Sequence, residues 1–312
     1  MNKELQAITR EIRKAVTGKD EVIEKLLMAL LSEGHVLLDD VPGVGKTTLA
    51  VSVSKTLGLA YKRIQFTPDV LPSDIVGFSM YDRERGSFRY VPGVVTEANL
   101  LLGDEINRTS SKTQSALLEA MEERQVTVDG RVYPLRRPFC VIATQNQIGT
   151  AGTQPLPHAQ MDRFLVQLSL GYPDFESQVE ILRNRKLSDP MEQVVQAADV
   201  ETVLSMQEQV RQVSIHDDIL AYITRLAMAS REHPLLALGV SPRGALSLSR
   251  MARACAYLRG RDYVLVEDVQ GVFLEVCAHR VLLSQRGRME HRSEADILRE
   301  LLTQVPVPNG LR

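Results

Sequence analysis

Three things are scarce in this chain, and each scarcity excludes a class of protein. Cysteine occurs three times (Cys140, Cys255, Cys277), each time among apolar residues and never as C-x-x-C. The odd number and the spacing argue against a disulfide framework and a zinc site, and read as reduced core thiols of a cytosolic protein. Long apolar runs are missing: LLMALL, the longest, falls far short of the roughly 20 residues a membrane-spanning helix needs. The charged amino terminus, MNKELQAITREIRK, has no signal-peptide core, so the expected location is the cytoplasm. Charge of one sign is scarce too. A net charge of −2 gives no bulk electrostatic reason to expect nucleic acid or an anionic membrane as partner, while leaving room for a local basic groove. What is present, 312 residues with 44% apolar and 24% charged content, suffices for two compact units and a sizeable core.

One stretch organises the rest: HVLLDDVPGVGKTTLA, residues 35–50. Val36, Leu37 and Leu38 read as a strand, the turn holds Pro42, Gly43, Val44 and Gly45, and Lys46, Thr47 and Thr48 open a helix. Glycines let the backbone curl until several N–H groups point at one spot, and the helix behind adds the positive end of its dipole. Such a turn is suited to an anion. In a phosphate loop of this kind Lys46 reaches the β- and γ-phosphates and the Thr47 hydroxyl ligates Mg²⁺. The pattern G-x-x-x-x-G-K-[ST] asks for glycine at position 40, where this chain has Asp40. A carboxylate facing phosphates is repelled, so the Asp40 side chain is expected to point away, toward the neighbouring chain or a backbone amide.

Upstream, residues 3–15 and 20–32 carry helical spacing, joined by Val16, Thr17 and Gly18. P-loop ATPases often pack an apolar residue and a glycine against adenine at this point; a plain helix stop is the simpler reading. Downstream, a strand over 61–66 leads to a turn-rich segment and a hairpin over 78–91, either a substrate-touching insertion or a surface hairpin with a solvated tip. NLLLGDEINR, residues 99–108, is the second strong signal. Its leucines make a buried parallel strand whose carboxyl end delivers Asp104 and Glu105 to the edge where open α/β sheets bind ligands. There Asp104 holds Mg²⁺ through its water shell, and Glu105 orients and deprotonates an attacking water.

A helix follows over 110–123, then a hairpin turning on Asp129-Gly130, then a buried strand, PFCVIATQN, ending at Asn146. The Asn146 amide can reach a γ-phosphate or the attacking water, or serve as an ordinary turn residue. Arg163, just before FLVQLSL, is a salt-bridge partner or an arginine finger presented to a neighbouring subunit. GYPDFESQ, residues 171–178, reads as a domain junction, and everything beyond as helical: 199–213, 215–231, 241–260, 266–284 and 293–303. Ser241-Pro242-Arg243 fits an N-cap, a proline at the first helical position and a first-turn arginine. Because that arginine opposes the helix dipole, another interaction has to favour it. The arginines of QRGRMEHR, residues 285–292, read as a solvated face.

Together these signals resemble the AAA+ ATPases, and within them the MoxR family. GHVLLDDVPGVGKTTLA, RIQFTPDVLPSDIVG, LLGDEINRTSSKTQSALLEAMEERQVTVDG, VIATQNQ, GTQPLPHAQMDRF, SPRGALSL and RGRDYVLVEDV occur in order over nearly the whole chain. The resemblance implies an α/β fold: an AAA+ αβα core with a parallel sheet over residues 1–172, hairpin insertions near 76–93 and 124–136, and an α-helical lid over 173–312. It implies ATP and Mg²⁺ as ligands, Val16 and Gly18 beside adenine, Asn146 as sensor 1, Arg163 as the arginine finger and Arg243 as sensor 2. It also implies a homo-oligomer, usually a hexameric ring, that matures or remodels partner proteins as a chaperone. Partners of such rings include proteins with a von Willebrand factor A domain and its metal site. The chain departs from the family pattern at Asp40, and at Gln147, Gly149, Gln154 and His158, where Pro, Glu, Tyr and Glu are more frequent.

The leading function is therefore an ATP-hydrolysing ring that remodels a protein partner. The alternative is a nucleotide-dependent switch or scaffold with little turnover; the presence of both Glu105 and Arg163 favours the enzyme. A nucleic acid translocase is disfavoured, because the hairpin tips DRERG and TVDGRV are neither basic fingers nor aromatic platforms.

Overall fold

The computed structural model describes residues 3–145, 154, 156–184 and 189–308. Helices α1 (Lys3–Ala15) and α2 (Asp20–Leu31) bury Leu5, Ile8 and Ile12, and Ile23, Leu26, Leu27 and Leu30, the faces their three-to-four spacing marks out. There follow β1 (Val36–Asp39), α3 (Lys46–Thr56), β2 (Tyr61–Gln65), a short α4 (Pro72–Val76), the hairpin β3 (Gly77–Asp82) and β4 (Ser87–Pro92), and β5 (Leu100–Asp104). Next come α5 (Ser111–Glu123), the hairpin β6 (Gln125–Val128) and β7 (Arg131–Pro134), β8 (Cys140–Gln145), α6 (His158–Met161) and β9 (Val166–Leu168). Five strands form one parallel sheet in the order β2-β5-β8-β1-β9.

The continuous leucine run of β5 is explained by burial on both faces. Leu100 and Leu102 enter one apolar core, with α1, α2 and α3; Leu101 enters another, with Phe66, Leu117, Leu118 and Met121. After α7 (Phe175–Asn184), whose Phe175, Val179 and Leu182 are exposed, the first core runs into the carboxy-terminal helices α8 (Val200–Gln212), α9 (Asp217–Glu232), α10 (Pro242–Leu258) and α11 (Val266–Cys277), and a last helix, Glu294–Gln304. No helix among the described residues is long and apolar enough to cross a membrane.

Three local expectations change. The helix expected over 266–284 stops at Cys277, because Arg280 turns inward to bond carbonyls of the core; Leu282–Leu283 then pairs antiparallel with Leu236–Leu238, a small sheet within the otherwise helical lid. The strand read in FLVQLSL is shortened to Val166–Leu168, because the backbone beyond it turns onto Asp40. Helix α7 begins inside the segment read as a junction, where the Asp174 carboxylate accepts from the Ser177 N–H at 2.8 Å.

His35, just before β1, is buried between the two cores' elements. The Val141 N–H donates to its Nδ1 at 3.0 Å, so the proton sits on Nε2, which donates to the Met121 carbonyl at 3.0 Å. Burial first, then Arg124 and Arg250, push its pKa down from 6.5 to about 4. A folded pKa below the unfolded one means the unfolded chain binds more protons in between. The stabilisation is complete above about pH 6.5 and disappears as pH falls through about 4, by about 3 kcal/mol. Urea unfolding at pH 7 and pH 4.5 should show this loss, with a shallower decline in His35→Gln; an equal decline in both proteins contradicts the assignment.

Candidate functional site

The phosphate loop is shaped by backbone conformation. Gly43 and Gly45 stand at φ 85° and 98°, the left-handed region, and a Cβ on either meets nothing within 4 Å. Conformation, and not crowding, requires glycine here. Helix α3 starts at Lys46 with no side chain capping its first N–H groups, which leaves them directed at an anion. In front opens a cavity of about 810 Å³, walled by Val16, Gly43, Val44, Gly45, Thr48 and Tyr172 among others. Pro42 is exposed on the loop, and Thr47 is half-buried in the first turn of α3. Lys46 is buried, with Nζ donating to the Asp40 carbonyl at 3.0 Å. Burial lowers its pKa against the opposing pull of Asp40, Asp104, Asp39 and Glu105.

Of the two residues expected beside adenine, Val16 lines the cavity. Gly18 does not: it stands at φ 71°, and a Cβ there would lie 2.1 Å from Ser177 Oγ. Its glycine is explained by close approach to the start of α7, while Ala15, Thr17 and Lys19 take part in the wall.

The acidic pair is held by one hydroxyl. Thr144 Oγ1, on β8, donates to Asp104 Oδ1 at 3.3 Å and accepts from the Glu105 N–H at 2.9 Å. Glu105 stands at φ 58°, a conformation costly for a residue with a side chain and one that concentrates at functional sites. Asp104 Oδ2 accepts from Arg63 Nε at 2.7 Å; Glu105 Oε2 accepts from Gln65 Nε2 at 2.9 Å and forms an ion pair with Arg108 Nε at 3.0 Å. Arg63, Gln65 and Thr144 escaped the sequence reading. Their signal was alternation: residues 63 and 65 share one face of β2, and Gln65 lies opposite Asp104 in register.

Thr47 and Asp104 are hard oxygen donors of the kind Mg²⁺ takes. Among the described residues no group of three or more His, Cys, Asp or Glu side chains could hold a metal ion, so an ion here needs phosphate oxygens to complete its shell. Asn146 lies outside the described residues, as do Gln147 and Gly149. Gln154 is placed: its Oε1 accepts from the Ser111 N–H at 3.2 Å, and its carbonyl from Gln114 Nε2 at 3.1 Å, which ties this residue to the start of α5.

Arg163 and Arg243 meet on one carboxylate, away from the phosphate loop. Glu122, on α5, forms an ion pair with Arg163 at 3.2 Å through one oxygen and accepts from Arg243 through the other. Glu122 and Arg163 border a separate cavity of about 440 Å³, and neither Arg163 nor Arg243 is among the described residues that wall the phosphate cavity. Glu122 is thus the partner that the dipole argument demanded for Arg243. Ser241 caps α10 as expected, accepting from the Gly244 N–H at 3.0 Å, and also donates to Asp162 Oδ2 at 2.9 Å. Asp162 Oδ1 accepts from Arg280 Nε at 2.6 Å, and the Arg280 guanidinium further donates to Phe164 O at 2.5 Å and Leu165 O at 3.1 Å. The segment carrying Arg163 is therefore bolted to α10 and to the turn after α11. Arg280 was also missed; its trace in the sequence is a lone charge inside the apolar stretch CAHRVLL.

The Asp40 carboxylate turns away from the loop, as its charge requires. It accepts from Ser169 Oγ at 2.9 Å and from the N–H groups of Leu170 and Gly171, the latter at 3.0 Å. The substitution thus straps the loop's entrance to the chain leaving β9. Asp40→Gly, which restores the usual glycine, should weaken the protein by about 1–3 kcal/mol, because two backbone donors lose their acceptor. Chemical denaturation measures this; an unchanged or higher stability would show that the strap contributes nothing.

The comparisons agree with this geometry. Residues 35–166 match the ATPase family associated with various cellular activities (AAA), and residues 228–301 match the AAA lid domain. The chain is 45% identical over 297 residues to the uncharacterized protein YeaC of Bacillus subtilis, covering 95% of this chain and 92% of that one. It is 39% identical over 308 residues to Chaperone MoxR1 of Mycobacterium tuberculosis, covering 96% and 81%. The crystal structure of a candidate ATPase from Cytophaga hutchinsonii superposes with a TM-score of 0.91 at 37% identity, covering 98% of this chain and 95% of the other. Sheet order, phosphate loop, acidic pair, lid and relatives together place the chain in the MoxR family of AAA+ ATPases.

Proposed function

We propose that the chain hydrolyses ATP in a ring of its own copies, most simply a hexamer, and uses the cycle to remodel or mature a protein partner. One observation carries this reading: the phosphate cavity and the Arg163–Glu122–Arg243 cluster lie apart within one chain. Arginines held away from their own chain's pocket are placed to act on the nucleotide of a neighbouring copy, which would complete the site. Val16 would flank the adenine; the N–H groups from Gly43 to Thr48 and the Lys46 ammonium would hold the phosphates. Bound through Thr47, Asp104 and the phosphate oxygens, Mg²⁺ would supply charge neutralisation. Glu105, freed from Gln65, would take the proton of the attacking water, with Asn146 as the expected amide beside it. Arg163 of the neighbour would face the developing charge, and Arg243 would leave Glu122 with it.

The chaperone name of the Mycobacterium relative supports a protein partner, and so does the first hairpin. Its surface exposes Phe78, Met80, Tyr81 and Phe88, the last two edge to face at 5.4 Å, around a tip where acids and arginines alternate. Such a surface suits an apolar polypeptide segment better than a phosphate backbone. A partner with a von Willebrand factor A domain fits the family resemblance.

Glu105→Gln should retain ATP affinity while turnover falls by about 10²-fold or more; near wild-type turnover contradicts its role as base. Arg163→Ala should lose about 10³-fold or more in turnover with nucleotide affinity preserved. Mixed with Lys46→Ala chains it should regain part of the activity, since one chain offers an intact pocket and the other an intact finger. Absence of rescue in verified mixed assemblies contradicts action across subunits.

A further inference from the structure

A second basic cavity lies at the other end of β1. Glu33 precedes that strand by three residues, whereas the phosphate loop follows its carboxyl end, so the sheet separates the two. The cavity measures about 290 Å³ and is walled by Arg124, Arg211, Arg250, Arg253, Glu33 and Ser32, with Leu31 and Val210 as its apolar side. Four guanidiniums face one carboxylate here. That carboxylate is already divided between Arg124 and Arg211, and the exposed Glu208 reaches Arg211 at 3.1 Å. Arg250 donates to the Ser32 carbonyl, a neutral partner. Arg253, one turn further along α10, has a buried Nε with no hydrogen-bond partner among the described residues.

Elsewhere the inward-facing arginines each have a carboxylate: Arg261 shares the fully buried Asp268 with the exposed Arg259, and Arg280 has Asp162. Burial, and then repulsion from Arg124, Arg211 and Arg280, lower the Arg250 pKa to about 10, so it remains charged at neutral pH. Four guanidiniums against Glu33 and the exposed Glu208 leave a half-exposed cluster with an excess of positive charge, which a bound anion would offset. Guanidinium forks converging on a small cavity match a tetrahedral oxyanion with several acceptor oxygens, and a cavity of this size has room for one phosphoryl group.

We propose that this cavity binds a small phosphate-type oxyanion, distinct from the nucleotide. Its walls come from both parts of the fold: Glu33 and Arg124 close α2 and α5 of the core, Arg211 and the Arg250–Arg253 pair belong to α8 and α10 of the lid. A bound anion would tie lid to core from the side remote from ATP hydrolysis.

The test uses the full chain, with inorganic phosphate and pyrophosphate as probes and sodium chloride at matched ionic strength as control. The thermal midpoint should rise with phosphate in the wild type and equally in Lys46→Ala, in which the phosphate loop is disabled. Arg253→Gln removes a side chain whose Nε has no hydrogen-bond partner among the described residues; it should keep its midpoint without phosphate and weaken the response by roughly tenfold or more. Arg253→Lys, charged but without the fork, should fall between. The proposal is overturned if the response disappears in Lys46→Ala and persists in Arg253→Gln, or if the wild type shows none beyond the chloride control. It is equally overturned if Arg253→Gln changes the size of the assembly with the phosphate response intact, since the cavity would then be a subunit contact.

Discussion

The buried contact between Arg280 and Asp162 sets the geometry on which the proposed activity depends. Arg280 is almost wholly enclosed, and its guanidinium reaches the Asp162 carboxylate and the carbonyls of Phe164 and Leu165. Ser241, the cap of α10, holds the other Asp162 oxygen. Each charge is expensive to bury, and removing one partner of such a pair typically costs about 3–5 kcal/mol. Through this knot the lid, the segment bearing Arg163 and the helix bearing Arg243 have one common anchor. A lid that shifts with nucleotide would carry both arginines with it. In an assembly, that displacement would be felt in the next subunit's pocket.

The phosphate loop has a matching anchor at its own entrance. Asp40 sends its carbonyl to Lys46 and its carboxylate to Ser169, Leu170 and Gly171. One residue thus orients the lysine and ties the loop to the strand end that leads toward α7. Gly18 packs on that same helix at Ser177. The departure from the glycine pattern is consistent with phosphate binding, because the loop's required left-handed residues, Gly43 and Gly45, are kept. The Thr144 hydroxyl performs the equivalent service for Asp104 and Glu105.

Much of this was legible in the residues, and what was not has a common cause. Helices α1 and α2, both hairpins and β5 declare themselves through spacing, turn residues and apolar runs, which are local. The cap at Ser241 is local as well. Illegible were the residues whose partners are distant in sequence: Arg280 and Asp162 are 118 apart, Arg243 and Glu122 are 121 apart, and Thr144 and Asp104 are 40 apart. The close approach of Gly18 to Ser177 was hidden for the same reason, since nothing in the neighbouring sequence marks a contact 159 residues away. The helix expected over 266–284 ran too far because periodicity cannot register that Arg280 leaves the ladder to bond another segment's carbonyls.

In the proposed ring, each chain carries halves of two different active sites. The most direct measurement is ATP turnover per subunit across protein concentration, with assembly followed in parallel by sedimentation. If the arginines act on a neighbour's nucleotide, specific turnover is negligible where the chain is monomeric and rises to a plateau as the assembly forms. A constant specific turnover through a range in which sedimentation reports monomer would contradict the claim.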